Sequence, residues 1–168
     1  MIVRGDSIVS FLEGKSEDYR GRTFASMLGW SDRELESCHD QVQWIFPLHE
    51  ESRHANTYPV LTKDVVEKAR GSNEVKCNLV KAKHMFERFL GVGECDDPDI
   101  QRRWCRDRNH NLLRVTRIIR SLRLLGLEDD ARDFHAKVYA VGQRLGVNKT
   151  TLGYWDRALK DDVWGTLL

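Results

Sequence analysis

Apolar residues recur three and four positions apart along almost the whole chain, with polar residues between them, which is the pattern of amphipathic helices. Asp6 is placed to cap a short helix carrying Ile8, Val9, Phe11 and Leu12, with Gly14 as its stop. Thr23 opens a second helix through Phe24, Met27 and Leu28, closed by Gly29. Ser31-Asp32-Arg33-Glu34 has the spacing of a capping box, in which hydroxyl and carboxylate each take an orphan backbone donor. From there Leu35, Cys38, Val42 and Ile45 share one face, predicting one helix that ends at Trp44-Ile45-Phe46-Pro47. Proline disfavours the helical conformation of the residue before it, so the stop falls near Phe46. This is the densest apolar run in the chain, and it holds one of only three prolines.

Beyond a polar loop from Leu48 to Leu61, helices are predicted through Val65, Val66 and Ala69, and from Val75 through Phe89 to Gly91. Gly71-Ser72-Asn73 interrupts the two. Pro98 suits the first turn of a helix whose inner side is Ile100 and Trp104. The cleanest helix spans 109–125: at about 100° per residue, its apolar side chains, from Leu112 to Leu125, fall within an arc of about 140°. Two more helices follow, one with Phe134, Val138 and Val141 and one with Leu152, Trp155 and Leu159. No stretch alternates convincingly as a strand. The reading is an all-α fold: one compact domain over residues 1–168, built of about seven to nine helices.

The hydrophobic share of 40% and charged share of 32% are those of an ordinary globular protein. The N-terminus lacks a signal-peptide core and no apolar run is long enough to span a bilayer, so a cytoplasmic, membrane-free protein is expected. The formal net charge of +1 conceals an asymmetry: residues 1–99 carry a net −5 and residues 100–160 a net +8. The basic half either meets an acidic partner or packs beside the acidic half, and the second account is the simpler.

His39, Gln43, Trp44, Phe46 and Pro47, with Leu61-Thr62 beyond the loop, resemble the conserved domain of the opioid growth factor receptor family. The region of Phe86, the block Asn111–Leu127 with its arginines, leucines and glycine, and more weakly Leu152-Gly153-Tyr154-Trp155, extend the resemblance over most of the chain. In vertebrates that family includes a nucleus-associated receptor for an opioid pentapeptide that restrains cell growth. Those members carry long additional tails, whereas compact ones of this kind look bacterial or phage-like. The resemblance implies an all-helical interaction module.

Two candidate sites follow. His39, Gln43, Trp44, Phe46 and Pro47 could line an apolar ligand pocket with a few polar contacts, although an aromatic cluster at a helix end usually packs as core. Arg114, Arg117, Arg120 and Arg123 form the polar face of the 109–125 helix, either solvated and paired with the acidic half or facing nucleic-acid phosphates. Residues 137–159 resemble a helix-turn-helix turning at Gly146, which would present Asn148, Lys149, Thr150, Tyr154 and Arg157 to DNA. Gly142 and Gly153 fit that motif poorly, and a packed helical hairpin is the plainer reading. Cys38, Cys77, Cys95 and Cys105 form no C-x-x-C pair, and the histidine spacings match no zinc signature, so neither metal nor cofactor is expected. The leading expectation is a non-enzymatic binding module for an unknown protein or peptide partner; DNA binding is the alternative.

Overall fold

The computed structural model describes residues 1–163. Ten α-helices are formed among the described residues: α1 (Asp6–Leu12), α2 (Phe24–Leu28), α3 (Asp32–Ser37), α4 (Gln41–Ile45), α5 (Lys63–Gly71), α6 (Asn73–Leu90), α7 (Pro98–Trp104), α8 (Asn111–Leu124), α9 (Glu128–Leu145) and α10 (Lys149–Lys160). The fold is all-α, as the periodicity predicts. The expected capping box forms at Ser31 with Glu34, and Thr23, expected to open its helix, caps α2 in a second box with Ser26. Gly91 closes α6 and Gly146 closes α9 in the left-handed conformation, where a side chain would be strained.

Two expectations are corrected. The helix predicted from Ser31 to Ile45 is two, because the chain turns extended at Cys38 (φ −97°, ψ 113°) before restarting at Gln41. Tertiary partners of Asp40 and of the Leu35 and Cys38 carbonyls impose that break, and none of them is visible in the spacing of apolar residues. The split brings the helix count to ten. In addition, no stretch is expected as a strand, yet β1 (Ile2–Val3) pairs in parallel with β2 (Tyr58–Pro59), Ile2 opposite Tyr58. Two residues are too few for an alternation to register.

One core runs through the molecule. Helices α8, α9 and α10 pack on one another, α1, α5 and α6 form a second group, and α6 joins the two through α9. Trp44 is 3% exposed, donates from its indole nitrogen to the Thr57 carbonyl (3.3 Å), and lies between the rings of Phe11 and Tyr19. Phe46 is fully buried against Phe86. The hairpin of α9 and α10 closes over Gly142, where an added Cβ would stand 2.8 Å from the Trp155 ring and 3.0 Å from Leu152. Glycine is there because α10 approaches too closely for alanine.

Two substitutions test this packing. Trp44→Ala is expected to cost about 3–5 kcal/mol in urea denaturation, the range for truncating a buried aromatic; an unchanged midpoint would place Trp44 outside the core. Gly142→Ala is expected to cost about 1–3 kcal/mol through overpacking against Trp155, and a neutral or stabilising effect would contradict the close approach.

Candidate functional site

A helix end leaves its last carbonyls without intrahelical donors, and the break between α3 and α4 exposes several at once. Arg114 crosses from α8 and donates from Nη1 to the Leu35 carbonyl (2.8 Å) and from Nη2 to the Cys38 carbonyl (3.0 Å). Gln43, with its amide turned to suit its neighbours, donates to the carbonyls of His39 (2.8 Å) and Asp40 (3.0 Å). Further along α8, Arg117 donates to the Phe46 carbonyl (3.1 Å) and the Ser121 hydroxyl to the Pro47 carbonyl (2.8 Å). The other side of the break is held by Asp40. Its carboxylate accepts from Arg22 Nη1 (2.9 Å), the Tyr19 hydroxyl (2.6 Å) and the Cys38 thiol (3.1 Å). Burial alone would raise the Asp40 carboxyl, but these donors, Arg22 first, hold it well below the usual carboxylate range.

These anchors leave a cleft of about 510 Å³ between α8 and the 48–54 loop. Val42, Leu48 and Leu113 supply its apolar surface, and Leu113 is 58% exposed. Its charges are Arg53, Arg114, Arg117 and Arg120 against Glu50 and Glu51, a balance of positive sign. His39 and His110 meet edge to face with ring centres 5.4 Å apart. Arg120 donates from Nη1 to Glu50 (3.0 Å) and from Nη2 to its second oxygen, and this bonding keeps the Glu50 carboxyl below its ordinary value. Burial, with the like charge of Arg120 behind it, pushes Arg117 down to about 10, which still leaves it charged at neutral pH.

The two residue sets read separately from the sequence therefore meet here in part. His39 and Gln43 share the cleft with Arg114, Arg117 and Arg120. Trp44, Phe46 and Pro47 do not line it; they are core, which corrects the aromatic-walled pocket. The arginine face pairs with the acidic half at Arg120 and Glu50, but elsewhere the reading is corrected, because backbone carbonyls rather than carboxylates of the acidic half take the arginines. Arg114 and Arg117 serve carbonyls of the α3–α4 segment, and Arg123 donates to the carbonyls of Ala158 and Asp161 (2.8 Å each) while pairing with Glu128. Sequence reasoning missed Leu113, His110, Glu50 and Arg53. One signal was available for Leu113: it falls amid the arginines, well outside the apolar arc of its helix.

A second pocket, of about 430 Å³, adjoins the cleft through His39 and His54 and is lined also by Cys38 and Asp40. Two histidines and a thiol are what nucleophilic chemistry would use. Here the Cys38 thiol bonds Asp40, and burial and that carboxylate both raise it, the opposite of activation. Burial likewise pushes Cys105 up to about 11. Among the described residues no group of three or more His, Cys, Asp or Glu is placed to hold a metal ion, and no helix is long and apolar enough to cross a membrane.

The remaining nucleic-acid candidates stand apart from the cleft. Asn148 caps α10, its side-chain oxygen accepting from the Thr151 amide (2.8 Å) while its nitrogen donates to Asp107 (2.8 Å). Lys149, Thr150, Tyr154 and Arg157 are exposed, and the Arg157 guanidinium lies 4.9 Å from the centre of the Tyr154 ring.

Residues 23–162 match the model of the opioid growth factor receptor conserved region. The chain belongs to this family. It is 35% identical over 111 residues to the opioid growth factor receptor of Mus musculus, covering 59% of this chain and 17% of that protein. Over 147 residues it is 30% identical to the Homo sapiens receptor, 78% of this chain and 22% of that protein. The opioid growth factor receptor-like protein 1 of Xenopus tropicalis is 32% identical over 104 residues, 56% of this chain and 20% of that protein. The chain thus spans about a fifth of the length of the curated relatives it matches. No solved structure matches it. The conserved region takes in every cleft residue from His39 to Arg120, Asp40 and all of α10, while β1, α1 and the Asp40 partners Tyr19 and Arg22 precede it.

The Asp40 junction gives a pH test. Because its folded value lies below its unfolded one, its contribution is complete above about pH 4 and is lost as pH falls through the lower folded value. The stability gap between the wild type and Asp40→Asn, read by thermal unfolding, is expected to be widest near neutrality and to narrow below about pH 4. A gap of constant size on acidification would show that the carboxylate charge is not what holds the junction.

Proposed function

We propose that this chain is a non-enzymatic binding module of the opioid growth factor receptor conserved-region type, and that it takes a polypeptide segment of a partner protein in the cleft beside α8. The carrying observation is Leu113, an apolar side chain left 58% exposed in the middle of an arginine face and opening onto Val42 and Leu48. An apolar surface with a few convergent polar groups is the chemistry of a recognition site. The surrounding backbone is fixed by Arg114, Arg117 and Ser121, so the cleft is preformed and little ordering cost accompanies binding.

The alternative, DNA binding through residues 137–159, draws support from the exposed Lys149, Thr150, Tyr154 and Arg157 that follow the turn at Gly146. It loses the help expected of Arg114, Arg117 and Arg120, which line the cleft and are bonded within the chain.

Random dodecapeptides displayed on phage and selected on the full chain are expected to bind Leu113→Asp at least about tenfold more weakly, or about 1.4 kcal/mol. Undiminished binding to that variant would move the site elsewhere. In fluorescence anisotropy, labelled random duplex DNA is expected to show no binding that weakens steeply between about 50 and 200 mM salt. Steep binding that disappears in Lys149→Glu and Arg157→Glu would transfer the function to α10.

A further inference from the structure

A guanidinium out of water is costly unless its charge and its N–H groups are met. Arg114 meets this requirement with the carbonyls of Leu35 and Cys38 and the Asn111 side-chain oxygen (3.2 Å). Arg120 meets it with the Glu50 carboxylate. Arg117 does not. It has one bond, to the Phe46 carbonyl, and no acceptor among the described residues for its other N–H groups. The charge beside it on α8, that of Arg120, has the same sign; the opposite charge that reaches it, Glu50, is engaged by Arg120, and the cleft carries four arginines against two glutamates. A guanidinium fork of this kind receives a carboxylate through paired N–H···O bonds. The neighbouring Arg120–Glu50 pair shows a carboxylate seated in this way on the same helix face. Glu50 is 43% exposed, so it can leave Arg120 for water without stranding a buried charge.

Building on the polypeptide-binding reading, we propose that the bound segment is acidic and that one of its carboxylates is received by Arg117. Glu50 is the chain's own competitor: it holds Arg120 until a second carboxylate of the segment replaces it. The cleft then selects for an apolar residue near Leu113 flanked by acidic ones, and its affinity is set partly by how firmly Glu50 stays.

The test uses dodecapeptides selected on the full chain for dependence on Leu113, measured by fluorescence anisotropy against the wild type, Arg117→Gln, Arg117→Lys and Glu50→Gln. The expected peptides are enriched in Asp and Glu, lose at least about tenfold in affinity for Arg117→Gln, keep part of it for Arg117→Lys, and gain several-fold for Glu50→Gln. If Arg117→Gln does not fold, as judged by circular dichroism, Glu50→Gln decides alone, since it alters only a surface pair. Tighter binding supports the competitor, and unchanged or weaker binding overturns it. Peptides that depend on Leu113, lack acidic residues and ignore both substitutions overturn this inference while leaving the cleft standing. A selection that yields binders but none dependent on Leu113 overturns both.

Discussion

Two hydrogen bonds from Arg114 to the carbonyls of Leu35 and Cys38 are the constraint on which the rest of this fold leans. Helix termini are short of donors at their C-terminal ends, where the macrodipole also favours a cation. The chain answers this repeatedly with arginines from distant helices. Arg117 serves the carbonyl that follows α4, Arg70 those at the end of α8 (Leu124, 2.9 Å, and Arg123, 3.2 Å), and Arg123 in turn those at the end of α10. Each such bond ties one helix end to another helix's flank. Ten mostly short helices, few of which would persist alone, are in this way held by a set of side-chain staples as well as by a common core.

The basic and acidic halves are joined through the same logic, with ion pairs as a smaller part. Arg120 meets Glu50 and His110 stands beside Glu36, but Lys83 reverses the direction, reaching Asp130 and Asp133 of α9 from the acidic half. Backbone carbonyls absorb much of the remaining positive charge on α8. A net charge summed over a stretch of sequence therefore says little about what its arginines face.

Local chemistry made much of the fold legible. The caps at Thr23 and Ser31, the stop before Pro47, the first-turn Pro98 and the glycine ends at 91 and 146 lie where the residues indicate. What the sequence could not disclose is tertiary. Leu35, Cys38, Val42 and Ile45 keep helical spacing straight across the break, because its cause sits at Arg22 and Arg114. The cleft was divided for a similar reason: His39 and Gln43 belong to one stretch, Arg117 and Arg120 to another some seventy residues on, and only the packing of α8 on the α3–α4 segment unites them. The aromatics of the same stretch, conspicuous in the sequence, were needed for the core and so are absent from the surface.

The parallel pairing of Ile2–Val3 with Tyr58–Pro59 has a mechanical consequence. The amino group of Met1 donates to the Asn56 carbonyl, the Val60 amide to Val3, and the Leu61 amide to Leu48, so the segment that walls the cleft is braced from outside by the first three residues. None of those three touches the cleft. They act as a splint for it: the chain between Leu48 and Leu61 is closed on itself by the Leu61–Leu48 bond and clasped on its far side by the strand at residue 2.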